Sequence, residues 1–134
     1  MNKSYNSLGL MSGTSGDGVD ASIIKSDGKD NYDIISDNYF GYTKEISQNI
    51  HYLREKIYEP QDLNKYLKEL KKLENDITIF HVNVVEEVIK NLSDDIEFIG
   101  FHGQTIFHNS SLRKTIQLGD ANLLSKLTKK KSYI

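Results

Sequence analysis

The stretch LGLMSGTSGDGVDAS, residues Leu8 to Ser22, decides how this chain reads. An apolar run carrying Leu8, Leu10 and Met11 enters a loop from Ser12 to Gly18, and a second apolar run, Val19 to Ile24, leaves it. The loop holds only Ser, Gly, Thr and one Asp. Gly13, Gly16 and Gly18 permit positive φ and close backbone approach, so several N–H groups can converge on one point. Ser12, Thr14 and Ser15 add hydroxyl donors. A concave patch of donors between two strands suits a polyphosphate. No Gly-Lys-Ser/Thr follows and no helix opens there, so this is not a Walker A loop. The competing reading is an ordinary hairpin turn, because Asp17-Gly18 between apolar runs is a strong hairpin signal.

Outward from the loop, Tyr5–Met11 and Val19–Lys25 read as a hairpin, with a turn at Asp27-Gly28. A third strand, rich in Ile, Tyr and Phe, follows from Tyr32 to Thr43. The period then changes. Ile46, Ile50, Leu53 and Ile57 recur at helical spacing up to Pro60. Asp62 is placed to cap a long helix whose face carries Leu63, Tyr66, Leu67, Leu70, Leu73, Ile77, Phe80, Val84 and Val88. Ile79, Val82, Val85 and Ile89 add a second apolar face to its later half, which is therefore expected to be buried on both sides. Ser93–Asp95 closes that helix, and Ile96–His102 reads as a short strand. Thr105–His108 and Lys114–Leu118 read as a hairpin across Asn109–Arg113. Asp120 caps a last helix to about Thr128, and the lysines from 126 to 131 read as its solvated end. The expected fold class is α/β: one domain, residues 1–134, with a mixed sheet and packed helices.

Composition narrows the function classes. The chain has 134 residues, 37% hydrophobic and 27% charged, in the range of a soluble globular domain. No cysteine is present, which removes disulfides and thiolate metal sites. No apolar run approaches the ~20 residues needed to span a bilayer, and no signal-peptide core opens the chain, so a cytoplasmic location is expected. A net charge of −2 gives no drive towards nucleic acid. Only Arg54 and Arg113 are arginines, so no arginine clamp on a phosphate is expected.

Two further segments carry chemistry. IGFHGQTIFH, Ile99–His108, places a His-Gly-Gln-Thr turn where a strand ends, the usual position for ligand contacts in open α/β sheets. TIQLGDANLLSKLT, Thr115–Thr128, places Gly119-Asp120 at a helix start. With the Gly loop, these segments closely resemble, in identity, order and spacing, the signatures of the anhydro-N-acetylmuramic acid kinase family, over nearly the whole chain. The resemblance implies one half of the actin-like, sugar kinase and Hsp70 ATPase fold, with nucleotide between two such domains.

It also implies roles. Gly13, Thr14, Ser15, Gly16, Asp17, Gly18, Val19 and Asp20 would cradle the phosphates of ATP. Asp17 or Asp20 would stand near Mg²⁺, although Asp20 reads equally as an outward strand residue. His102, Gly103, Gln104, Thr105 and Asp120 would line the sugar side. There Gln104 offers both donor and acceptor to a hydroxyl or acetamido group. His102, His108 and Asp120 make a poor metal set by spacing, while His51 and His81 read as surface or satisfied core residues. The family usually has Leu at the position of Gly16, so a looser loop is expected here, by about 0.5–1 kcal/mol of ordering. Asn122 stands where Pro or Gly is frequent.

Family chains are much longer. After the Gly-Asp helix they continue into a strand with a DFR-type sequence and the acidic residue that acts as base. Here the sequence reads TKKKSYI from Thr128 to Ile134, so no catalytic residue is assigned. The implied function is ATP-dependent phosphorylation of anhydro-N-acetylmuramic acid, with ring opening to N-acetylmuramic acid 6-phosphate, in peptidoglycan recycling. An incomplete, inactive form is the expectation for this polypeptide. The alternatives are a non-catalytic remnant, one half of a split kinase needing a separately encoded C-terminal half, or a simple anion-binding module. A homodimer or self-association through exposed apolar surface is a further expectation.

Overall fold

The computed structural model describes residues 4–90, 92, 95–109, 111 and 114–133. Strands β1 (Tyr5–Ser12), β2 (Gly18–Ser26) and β3 (Tyr32–Gly41) form an antiparallel meander. Helices α1 (Lys44–Lys56), α2 (Asp62–Lys65) and α3 (Leu67–Ile89) follow. The chain then returns through β4 (Phe98–Phe101), β5 (Gln104–Asn109), β6 (Lys114–Leu118), α4 (Ala121–Thr128) and β7 (Lys131–Tyr133). The main sheet has the order β3-β2-β1-β4-β7, with β4 parallel to β1 and β7 parallel to β4. A separate hairpin pairs β5 with β6. The architecture is the expected mixed α/β, consistent with one half of a sugar kinase or actin-like fold.

Alternation on the strands builds the first core. Leu8 and Leu10 of β1, Val19, Ala21 and Ile23 of β2, and Ile99 and Phe101 of β4 point to one face. There they meet Val82, Val84 and Val85 of α3 and Leu124 of α4. The second core lies to one side, where Ile46, Ile50 and Leu53 of α1 pack on Leu70, Leu73 and Ile77 of α3 and on Ile106, Phe107 and Leu118 of the hairpin. Tyr42 and Phe80 touch both cores, and their rings meet edge-on at 5.0 Å. The long helix thus serves one core with its first half and the other with its second. Burying these side chains, each worth ~1.5–3 kcal/mol, holds α1 against the Gly loop.

Local signals set most boundaries. Thr43 caps α1 by accepting the Ile46 N–H at 3.2 Å, and Asp120 caps α4 by accepting the Leu123 N–H at 3.0 Å. Four expectations are corrected. Asp62 does not cap the long helix. Its carboxylate reaches back to the N–H groups of Tyr58 and Glu59, which hold it below the usual carboxylate range, and α3 begins after Tyr66 instead. Ile79 is exposed, so the second face of α3 is narrower than its periodicity implied. The fourth main-sheet strand is limited to Phe98–Phe101. Finally, the lysine-rich end is not simply solvated. Lys129 closes α4 in the left-handed region, φ 59°, and Lys131–Tyr133 adds a parallel edge strand beside β4. The helix stop at 93–94 and most of the Asn109–Arg113 turn lie outside the described residues. Among the described residues no helix is long and apolar enough to cross a membrane.

Candidate active-site cleft

β1 and β4 are parallel neighbours, so their carboxyl ends lie at the same edge of the sheet. The Gly loop leaves β1 there and the His-Gly-Gln-Thr turn leaves β4. Gly119 joins them, since a Cβ added to it would meet the Phe101 ring at 2.7 Å and Gly103 Cα at 3.3 Å. The three segments singled out in the sequence therefore converge on one site. Gly103 makes this possible with φ 80° and with the Leu118 carbonyl 3.0 Å from where a side chain would begin.

Within the loop, the Gly16 N–H donates to the Gly13 carbonyl at 3.2 Å, closing a turn with Thr14 and Ser15 at its exposed tip. The tip N–H groups of Thr14 and Ser15 have no protein acceptor among the described residues. Gly16 holds φ 73°, and an added Cβ would lie 2.9 Å from Ile50 Cγ2 and 3.3 Å from Arg54 Nη1. Glycine here lets α1 pack closely against the loop. Asp17 is exposed, its carbonyl accepting the Tyr42 N–H at 2.8 Å. Asp20 is exposed on the sheet face opposite the buried Val19. Neither carboxylate has a hydrogen-bond partner among the described residues, which leaves both able to accept water or a cation. Val19 is fully buried, so only its backbone is available to a ligand.

Gln104 departs most from expectation. It is fully buried, and its amide Nε2 donates to the Gly13 carbonyl at 2.9 Å while its Oε1 accepts the Tyr42 hydroxyl at 3.0 Å. Its side chain therefore holds the loop from beneath rather than facing a sugar. Ser12 is likewise turned inward, its Oγ 3.0 Å from Tyr42 Oη and 3.3 Å from His81 Nε2. His81, on α3, is fully buried against Phe101, ring to ring at 4.7 Å. Its Nδ1 lies 2.7 Å from the Ile77 carbonyl, and because a carbonyl only accepts, Nδ1 carries the proton. Burial pushes His81 down to about 4 and Tyr42 up to about 12, so both are neutral at ordinary pH. Ser12 then has one proton and two neighbours able to accept it, His81 Nε2 and the Tyr42 oxygen. Sequence reading gave Tyr42 no role and left His81 as a surface or satisfied core residue, of which the core reading holds; neither lies in a recognisable motif, and only packing brings them to the loop.

His102 is exposed at the end of β4, with Nδ1 donating to the Gly103 carbonyl at 3.1 Å and Nε2 3.1 Å from Gln117 Nε2. Thr105 is half-buried, and its carbonyl accepts Arg54 Nη2 at 2.6 Å. Asp120 caps α4, and its N–H donates to Thr78 Oγ1 at 3.1 Å. The Gly119 N–H donates to Glu74 Oε2, also at 3.1 Å. No group of three His, Cys, Asp or Glu suited to a metal is found among the described residues.

Comparison with known proteins places the chain in a family. The family model for anhydro-N-acetylmuramic acid kinase matches residues 5–132. The chain belongs to the anhydro-N-acetylmuramic acid kinase family. A relative of that name from Pelagibacter ubique is 53% identical over 97% of this chain. Others from Rhodopseudomonas palustris and Bradyrhizobium diazoefficiens are each 35% identical over 89% of it. The family is one of sugar kinases. The chain spans about a third of the length of these relatives, 35% of the first and 33% of the other two.

Proposed function

We propose that this chain carries the phosphate-binding wall and part of the sugar-binding wall of an ATP-dependent anhydro-N-acetylmuramic acid kinase. That reaction phosphorylates the sugar and opens its anhydro ring with water, giving N-acetylmuramic acid 6-phosphate for cell-wall recycling in the cytoplasm. The observation that carries the reading is the tie from Gln104 to the Gly13 carbonyl, which joins the Gly loop to the His-Gly-Gln-Thr turn at the ends of parallel β1 and β4. Ligands of open α/β sheets bind at such strand ends.

The residues divide by role. The tip N–H groups of Thr14 and Ser15, with their hydroxyls, face the phosphates, and the rest of the Gly13–Asp20 stretch shapes the cradle. Phosphoryl transfer depends mainly on such positioning and charge neutralisation. Mg²⁺, when bound, would be held through Asp17 or Asp20 and would neutralise phosphate charge, consistent with two exposed carboxylates that have no hydrogen-bond partner among the described residues. His102, Gly103, Thr105 and Asp120 line the sugar side, while Gln104 positions the loop. The adenosine site and the carboxylate that activates water are assigned to the part of the family fold beyond this third, in the same chain or in a partner chain. Turnover is accordingly expected only when that part is present.

Titration calorimetry with Mg-ATP and with Mg-tripolyphosphate tests the loop assignment. Gly13→Asp places a carboxylate where the phosphates would lie, so binding of both should vanish while circular dichroism stays unchanged. Equal binding by wild type and Gly13→Asp would return the loop to an ordinary hairpin.

A further inference from the structure

Arg54 sits where the two walls of the cleft meet. It lies on the last turn of α1, half-buried, with Nη2 donating to the Thr105 carbonyl and Nη1 beside Gly16. The Thr105 carbonyl also lies 3.5 Å from Gln104 Nε2, the atom that ties down Gly13. The guanidinium thus occupies the junction between the Gly loop and the His-Gly-Gln-Thr turn. It is also poorly compensated. Among the described residues it makes one hydrogen bond, to a neutral carbonyl, and no carboxylate lies within ion-pair distance. Partial burial holds it below its usual range, against a favourable influence from Asp17. A guanidinium has five N–H donors in a rigid fork matched to phosphate. A cation drawn out of water with most of that fork unused is a costly arrangement unless an anion joins it.

We propose that Arg54 is an anion-contacting residue of this cleft, its free N–H donors taking the terminal phosphate of a polyphosphate held on the Gly loop. The inference rests on the phosphate-loop reading above and adds to it a positive charge on the side facing the sugar. It reverses the expectation that no arginine would serve a phosphate here. A purely structural role, in which Arg54 only props Thr105 against α1, is the competing explanation, and the two differ in what they do to charged ligands.

The test uses Arg54→Gln, Arg54→Lys and Gly13→Asp, with Mg-tripolyphosphate and inorganic phosphate as probes at two salt concentrations. Arg54→Gln should weaken tripolyphosphate binding roughly tenfold or more, as expected for loss of a charge-assisted contact. It should also flatten the salt dependence and affect inorganic phosphate less. Arg54→Lys should recover part of the affinity, because the charge is kept and the fork is lost. Tripolyphosphate binding by Arg54→Gln at wild-type strength, while Gly13→Asp binds none, would overturn the role of Arg54 and leave the loop reading standing. Equal losses in Arg54→Gln and Arg54→Lys, with equally lowered melting temperatures, would overturn it in favour of the prop. Absence of tripolyphosphate binding by the wild type would overturn the loop reading and this inference together.

Discussion

The β1–β2 loop, Gly13 to Asp17, and the β2–β3 turn, Asp27 to Asn31, are both five-residue polar connections with Gly and Asp on one meander. Their supports differ in kind. The second turn holds itself. Asp27 Oδ1 accepts the N–H of Lys29 at 2.8 Å and of Asn31 at 3.3 Å, and the Gly28 N–H donates to Ser26 Oγ at 3.0 Å. Every partner named is within four residues. The Gly loop is held mostly from afar, by Gln104 on the Gly13 carbonyl, by the Tyr42 N–H on the Asp17 carbonyl and by Ser47 Oγ on the Gly16 carbonyl at 3.4 Å. A turn stabilised by its own side chains leaves its backbone groups spent. A loop clamped by distant residues keeps its tip N–H groups unspent and fixed, which is what an anion site requires.

The largest effect expected from breaking this contrast is at Gln104. Gln104→Leu removes the donor to Gly13 and the acceptor for Tyr42, leaving the Gly13 carbonyl only its local bond from Gly16 and the Tyr42 hydroxyl only Ser12, and puts a branched apolar side chain into a buried polar site. The cost should be about 2–5 kcal/mol in urea denaturation, with tripolyphosphate affinity falling alongside. Stability loss without loss of affinity would show that the loop keeps its shape by itself.

Next comes acid. His81 is depressed to about 4 in the folded protein, so the unfolded chain binds its proton first as pH falls below about 6.5. The stability present above that pH is then lost progressively down to about pH 4, approaching ~3 kcal/mol. Denaturation midpoints between pH 7.5 and 4.5 measure it, and His81→Asn should flatten the slope attributable to this group. A slope unchanged in that variant would assign the acid sensitivity to carboxylates elsewhere.

The smallest effect sharpens the comparison from the other side. Asp27→Ala should cost only about 0.5–1.5 kcal/mol, since its hydrogen bonds to Lys29 and Asn31 are exposed and local. It should leave tripolyphosphate binding within error of wild type. Weakened binding would mean that the two loops communicate through β2.

The three chemistry-bearing segments, the hairpin around the Gly loop, α1, α4 with its Asp120 cap, and the β5–β6 pairing were legible in the residues alone. These depend on signals within a few positions: glycines in a turn, Asp120 before an apolar run, and alternation along a strand. Thr43 was read as the end of a strand and instead caps α1. Asp62 misled because the same carboxylate can cap forwards or reach back, and the chain beyond decides which. Lys131–Tyr133 could not be read as a strand, since its pairing comes wholly from β4, more than thirty positions earlier.

Chain-local chemistry thus determined the family and the candidate phosphate loop, because a motif is a matter of neighbouring residues. Tertiary packing alone decided what supports that loop. Gln104, Tyr42, His81 and Arg54 reach it from four separate segments across 25 to 91 positions of sequence. Such contacts exist only once two cores have closed around α3. Their hydrogen bonds gain strength from exclusion of water, and no local pattern of residues encodes which buried groups will meet.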